Sequence, residues 1–280
     1  MRTEEVATPG VVRAAAMQIS SGADVDANLD TVGGMLEEAA AQDVAIAVLP
    51  ENFAIMGVRD EDKLEHAEDP GRGPIQAFLA GAAKRHKLWV VAGSLPLKSQ
   101  HPDKCYGASI VFDSDGNANP IYRKIHLFDV DLPGGVERYR ESDTMAAGQD
   151  PVVVATPLGQ LGLSICYDLR FPEYYRRLVD GGATVFSVPA AFTAATGEAH
   201  WHTLLRARAI ENLAYVIAAG QHGTHPNGRR TYGHSAIIDP WGRIIAERES
   251  GDGLVVAEID TASPAALREK FPVLRHRRLG

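Results

Sequence analysis

Short apolar runs alternate with amphipathic stretches along nearly the whole chain, and this rhythm limits the fold more than any other feature of the sequence. Residues 44–49 are apolar almost without a break and stop at Pro50-Glu51. A run this short without polar alternation reads as a strand covered on both faces. Residues 13–19, 88–92, 152–155, 160–166, 184–188 and 215–219 read as further strands. Between them, residues 27–41 place Leu29, Val32, Leu36 and Ala40 at helical spacing behind a capping aspartate, Asp24 or Asp26. Residues 74–86 open on a proline suited to a first helical turn, and 173–180 and 198–212 complete the predicted helices. Hairpin turns are predicted at Asp113-Ser114-Asp115-Gly116-Asn117, between 107–112 and 119–123, and at Asp239-Pro240-Trp241-Gly242, between 235–238 and 243–246. Residues 253–259 form the last predicted strand. Hairpins mixed with strand–helix units predict an α/β fold, a mixed sheet with helices packed outside. No linker interrupts it, so residues 11–280 are expected to form one domain behind a 1–10 N-terminal extension.

The formal net charge of -8 argues against nucleic acid as a partner, because phosphate binding wants a basic face. No apolar run approaches a membrane span, and Met1 to Gly10 lack the apolar core of a leader segment. The two cysteines, Cys105 and Cys166, are too few for a disulfide framework. A cytoplasmic location is the expectation, where a thiol is free to be chemical.

Strand ends carry the reactive groups. Glu51 follows residues 44–49, Lys124 follows Ile121-Tyr122-Arg123, and Cys166 ends the run 160–166. Ligands of open α/β sheets bind beyond such ends. A thiolate attacks, a nearby cation lowers the thiol pKa, and Lys124 offers that cation and a donor for an oxyanion. Glu51 is suited to take the thiol proton and later to activate water. The N–H of Tyr167, just after the nucleophile, is a second oxyanion donor. Taken singly, each residue reads as ordinary: a packed cysteine, a turn glutamate, a surface lysine.

Three blocks change their joint meaning. Leu49-Pro50-Glu51-Asn52, Tyr122-Arg123-Lys124-Ile125-His126-Leu127-Phe128-Asp129 and Ser164-Ile165-Cys166-Tyr167-Asp168-Leu169-Arg170-Phe171-Pro172-Glu173 resemble, in order, the signature blocks of the nitrilase superfamily of carbon–nitrogen hydrolases. The resemblance runs from about Arg13 to about Arg278 and puts the family's Glu, Lys and Cys on Glu51, Lys124 and Cys166. It implies a four-layer α-β-β-α sandwich with two mixed sheets and a covalent amidase mechanism with ammonia as leaving group. It implies no metal or organic cofactor. Arg140-Glu141-Ser142 matches the family's second glutamate, so Glu141 is expected to hydrogen-bond Lys124 and help orient substrate. Pro189-Ala190-Ala191-Phe192-Thr193, Thr196-Gly197-Glu198-Ala199-His200-Trp201, Tyr232-Gly233-His234-Ser235 and the ending His276-Arg277-Arg278 resemble the branch acting on deaminated glutathione and related ω-amides. Nitrile hydrolysis or decarbamoylation on the same site is the alternative.

Substrate contacts are expected at Tyr167, Arg170, Phe192, Thr193 and Thr196. Arg170 either pairs with a substrate carboxylate or is held in an ion pair with Glu173 or Asp168. Arg138 and Arg140 offer further positive charge. His200-Trp201-His202 has i, i+2 spacing, unlike a zinc-binding helix pair, and His222 and His225 lie in a turn-rich loop, so no metal is expected. Arg208 and Glu211 have the spacing of a helix-face salt bridge, and Cys105 is expected to pack. The family resemblance further implies a homodimer or higher homo-oligomer, joined through the predicted helices 173–180 and 198–212 with the C-terminal tail reaching across.

Overall fold

The computed structural model describes residues 10–118, 120–132 and 137–279. Residues 1–9 of the expected N-terminal extension, and Asn119 of the expected strand 119–123, lie outside the described residues.

Two mixed sheets dominate. The first orders its strands Gly253–Asp260, Val11–Gln18, Ile46–Val48, Trp89–Val91 and Val111–Phe112. Its two central pairings are parallel and its two outer ones antiparallel. The second runs Val153–Thr156, Gly159–Leu163, Val185–Ala190, Tyr215–Gly220, Ser235–Ile238 and Ile244–Arg248. There the strands Gly159–Leu163, Val185–Ala190 and Tyr215–Gly220 are parallel neighbours, and the remaining pairings are antiparallel.

The period of a strand explains the layering. Ala14, Ala16, Ile46, Val48 and Val91 share one buried cluster with Leu161, Leu163, Val185 and Val216 of the second sheet. Their neighbours Ala15, Met17, Ala47 and Val90 join Leu29, Val32, Leu36 and Leu79, which come from the helices Val25–Ala41 and Pro74–His86. On the far side, Tyr175 and Leu178 of the helix Pro172–Asp180 and Trp201 and Leu205 of the helix Ala194–Asn212 cover the second sheet. The result is the α-β-β-α sandwich that the family resemblance implied. Asp24 caps the first helix by accepting from the Ala27 N–H at 3.1 Å, and Pro74 opens the second.

Several elements depart from the expectations. The run 107–112 is divided: Cys105–Ser109 pairs with Tyr122–Arg123, while Val111–Phe112 joins the first sheet. The hairpin around Asp113 forms: its carboxylate accepts from the N–H groups of Asp115 and Asn117, Phe112 bridges Ala118, and the return strand Tyr122–Arg123 pairs with Ala108 and Ser109. The predicted helix at 198 starts four residues earlier, at Ala194, because Thr193 is the extended residue from which the first turn bonds, Gly197 N–H to Thr193 O at 2.8 Å. A helix over Ser263–Lys270 and a short one over Asp62–Glu65 carry no strong sequence signal. Among residues of the C-terminal tail, Arg277 bonds Asp180 of its own chain at 2.6 Å.

Candidate active site

Cys166 does not end a strand. The ladder stops at Leu163, and Cys166 opens the 3-10 turn Cys166–Arg170 with φ at +47°. A left-handed cysteine is costly backbone, of the kind retained where side-chain placement matters. The buried carboxylate of Asp168 explains the turn. Its Oδ2 accepts from the Ile165 N–H at 2.8 Å and from the Tyr122 hydroxyl at 2.6 Å. Its Oδ1 accepts from the His126 N–H at 3.1 Å and lies 2.7 Å from His126 Nδ1. One aspartate thus ties the cysteine turn to the segment that carries Lys124.

Glu51 sits in the turn after Ile46–Val48. The turn closes on Gly93, which must be glycine: a Cβ there would lie 2.0 Å from the Pro50 carbonyl oxygen. Glu51 Oε1 lies 2.8 Å from Lys124 Nζ, and Oε2 accepts from the Ala191 N–H at 2.8 Å. Lys124, 2% exposed, also bonds both oxygens of Glu141 at 2.8 Å. Glu141 is aimed by the Phe128 N–H, which donates to Oε2 at 2.6 Å. A buried ammonium is tolerable only with such partners.

The ionisation follows from these contacts. Burial pushes the Glu51 carboxyl up, but the charge and hydrogen bond of Lys124, with Arg229 and Cys166, bring it below its ordinary range. Lys124 is held well above the usual lysine range: burial opposes its charge, and Glu141 and Glu51 more than offset that. Cys166 goes the other way from expectation. Lys124 and Arg229 do draw the thiol down, but burial and the Glu51 charge outweigh them, and it rests well above the ordinary cysteine range. The resting trio is therefore carboxylate, ammonium and neutral thiol. The thiol and Glu51 lie close enough in the pocket for each to act on the ionisation of the other.

These groups open into a pocket of about 570 Å³, mouth included, whose lining contains Glu51, Lys124, Glu141 and Cys166. The five expected substrate contacts, Tyr167, Arg170, Phe192, Thr193 and Thr196, line it too. Arg170 pairs with neither Glu173 nor Asp168; its guanidinium lies 5.1 Å from the Phe192 ring and 5.9 Å from that of Tyr167, with Nη1 3.3 Å from His200 Nδ1. The Thr193 and Thr196 hydroxyls bond each other at 2.7 Å. Arg140 lines the pocket but is engaged by Asp131 at 2.7 Å, and Arg138 is an exposed partner of the same aspartate, 3.5 Å away.

Four residues escape the sequence reading. Asp168 stands inside a quoted block, but its partners are remote in sequence. Arg208 does bond Glu211 at 2.9 Å; it is also buried, with Nε and Nη2 donating to Leu169 O at 3.0 and 2.7 Å, so it pins the cysteine turn. Gln221 donates to Glu51 O at 3.0 Å and to Ser21 Oγ at 2.7 Å, joining the two sheets under the site. Arg229 comes from a turn-rich loop and lines the pocket. The histidines are used as hydrogen-bonding groups. His225 is bonded through both ring nitrogens, to Ser21 O and Thr231 Oγ1. His202 meets His234 and Glu247, each ring nitrogen 2.7 Å from Glu247 Oε1. Cys105 is buried, which raises its thiol pKa to about 11.

The carbon–nitrogen hydrolase family model matches residues 13–269. A deaminated glutathione amidase of Synechocystis is 43% identical over 94% of this chain and 97% of its own length. Another, of Yersinia enterocolitica, is 40% identical over 94% of this chain and 92% of its own. The crystal structure of a Saccharomyces cerevisiae protein, described as a member of branch 10 of the nitrilase superfamily, superposes with a TM-score of 0.87 at 30% identity, covering 99% of this chain and 100% of that one. The chain belongs to the carbon–nitrogen hydrolases of the nitrilase superfamily and is a hydrolase of carbon–nitrogen bonds other than peptide bonds. Within that superfamily it is an amidase, and it falls in the branch of the relatives that bear the name deaminated glutathione amidase.

Proposed function

We propose that the chain hydrolyses deaminated glutathione, or a closely similar ω-amide, through a thioester on Cys166. The observation that carries this reading is the convergence of Glu51, Lys124, Glu141 and Cys166 in one pocket that also contains arginine. Glu51, resting as a carboxylate, takes the thiol proton as sulfur attacks the amide carbon. The tetrahedral oxyanion is held by Lys124 Nζ and the Tyr167 N–H. Glu141 keeps the ammonium in place and lets Glu51 remain a base rather than a fixed counterion. Collapse of the intermediate breaks the carbon–nitrogen bond, and Glu51 returns its proton to the departing amine. Water then attacks the thioester, losing a proton to Glu51, and the released thiolate takes that proton back.

The leaving group depends on the substrate. In deaminated glutathione the scissile bond joins a 2-oxoglutaryl group to cysteinylglycine, so the amine released is a dipeptide. Ammonia, the product expected from the sequence, leaves only from a primary amide. Arg170, Phe192, Thr193 and Thr196 form the wall that receives the acyl half, with Arg170 on its carboxylate. Association into a homodimer through the helices Pro172–Asp180 and Ala194–Asn212 belongs to the same reading and is checked by sedimentation.

Cys166→Ala should abolish turnover while leaving the circular dichroism spectrum and melting temperature near those of the parent. Full activity in that variant sinks the mechanism. Rates with deaminated glutathione, α-ketoglutaramate and succinamate, measured side by side, decide the substrate; deaminated glutathione as the poorest of the three overturns that assignment.

A further inference from the structure

The cations around the pocket are not equally engaged. Lys124 is neutralised by Glu51 and Glu141, Lys63 stands 4.0 Å from Asp60, and Arg140 is paired with Asp131. Among the described residues, Arg170 and Arg229 are the pocket cations with no carboxylate within ion-pairing distance. Arg229 is the less satisfied of these two. One Nη2 hydrogen goes to Ala191 O at 2.5 Å, the guanidinium lies 5.0 Å from the Tyr139 ring, and the buried Nε has no hydrogen-bond partner. A half-buried guanidinium that lines an open pocket and has no counterion is a strong donor site for a carboxylate, which supplies the missing charge.

The two arginines approach from different walls. Arg170 stands on the cysteine turn, four residues after the nucleophile, against Phe192. Arg229 reaches the pocket on the side of Glu51: the peptide unit N-terminal to Ala191 bonds Glu51 Oε2 through its N–H, and the carbonyl of the same residue accepts from Arg229. The Glu51 carboxyl feels the Arg229 charge accordingly. In the mechanism above, Glu51 gives its proton to the departing amine, so its side of the pocket is the leaving-group side.

We propose that Arg229 is a second carboxylate anchor, placed for an acid group on the amine half of the substrate. The pocket then selects amides that carry one carboxylate on the acyl half, at Arg170, and another on the leaving group, at Arg229. This rests on the deaminated-glutathione reading given above. Deaminated glutathione has that pattern; primary ω-amides have only the first carboxylate. Arg229 binds and selects here; it makes or breaks no bond.

The test uses the full chain with deaminated glutathione and with an analogue whose glycine carboxylate is replaced by a neutral carboxamide. The parent enzyme should lose about 30-fold in kcat/KM on the analogue, mostly through KM, as expected for loss of a charge-assisted hydrogen bond. In Arg229→Met both substrates should be poor and the gap between them should shrink to within about threefold; Arg229→Lys should restore part of it. A parent enzyme indifferent to the carboxylate overturns the proposal, and so does an Arg229→Met variant that preserves the gap. If Arg229→Met does not fold, the parent's discrimination and the Arg229→Lys variant decide. A parent enzyme that hydrolyses neither compound refutes the deaminated-glutathione assignment itself, an outcome distinct from activity without discrimination.

Discussion

At the scale of single residues, the site divides its charge in an order that sets its pH behaviour. Glu51 is ionised because the Lys124 charge overcomes the cost of burial, and Cys166 is neutral because burial and that same carboxylate overcome Lys124. A base with a lowered pKa is active above that pKa and loses activity as pH falls through it. The thiol and the ammonium change state only well into alkali. The profile of kcat/KM should therefore be flat across neutral pH, with its acid limb below the ordinary glutamate range. Stopped-rate assays over a buffer series check this, and an acid limb near neutrality contradicts it. Glu51→Gln separates base from electrostatics. Turnover should fall by about 10²–10⁴-fold with loss of the base. The thiol pKa should fall as well, because the anion that holds it up is gone while Lys124 stays. Ultraviolet thiolate absorbance titrated in parent and variant reads that shift.

At the scale of elements, the cysteine turn is held from both ends. Asp168 ties its start to the lysine segment, and Arg208 reaches from the helix Ala194–Asn212 to Leu169 O at its end. Asp168→Asn keeps the size but presents an amide to donors at Tyr122, Ile165 and His126. About 3 kcal/mol of stability should be lost, the cost of leaving one or two buried donors unpaired. Urea unfolding measures it, with kcat falling as the turn loosens. An unchanged midpoint and rate exclude this role. The four helices packed on the two main sheets and most strands of those sheets were legible from spacing and turn chemistry, as in residues 27–41 and the Asp239-Pro240-Trp241-Gly242 turn. The break after Leu163 was not, because Ser164 and Ile165 continue an alternation that a strand also tolerates. The marker is Asp168, whose partners His126 and Tyr122 stand 42 and 46 positions away. Arg208 was hidden for a similar reason: its i, i+3 pairing with Glu211 is real and accounts for only one edge of the guanidinium.

At the scale of the whole molecule, the pocket forms where loops from both sheets meet, and Gln221 fastens that junction. Its amide holds Ser21 after one sheet and the Glu51 backbone, while Ser21 N–H donates back to it at 2.9 Å. The stacking of the sheets left no trace in the pattern, since Ala14, Ala15 and Ala16 are all fully buried and a strand covered on both faces does not say which face meets which layer. That part of the fold came from family resemblance, as did the joint meaning of Glu51, Lys124 and Cys166. Another fastening lies outside the pocket lining, where Glu247 joins His202 of a helix to His234. Partial burial pushes the Glu247 carboxyl up, but the hydrogen bonds to His234 and His202 bring it below its ordinary value. Its contribution to stability is thus complete above the unfolded-state pKa and is lost as pH falls through the folded one. Glu247→Gln should lower the melting temperature at neutral pH, and the difference should narrow in acid; a gap that is constant with pH speaks against it. The neutral resting thiol has one further consequence. Peroxides and alkylating agents consume thiolates, not thiols. A nucleophile that ionises only as it attacks is chemically sheltered between turnovers, so the protein should age slowly in aerated solution, and burial, aided by the carboxylate that makes Cys166 reactive toward substrate, keeps the thiol in the form that oxidants leave alone.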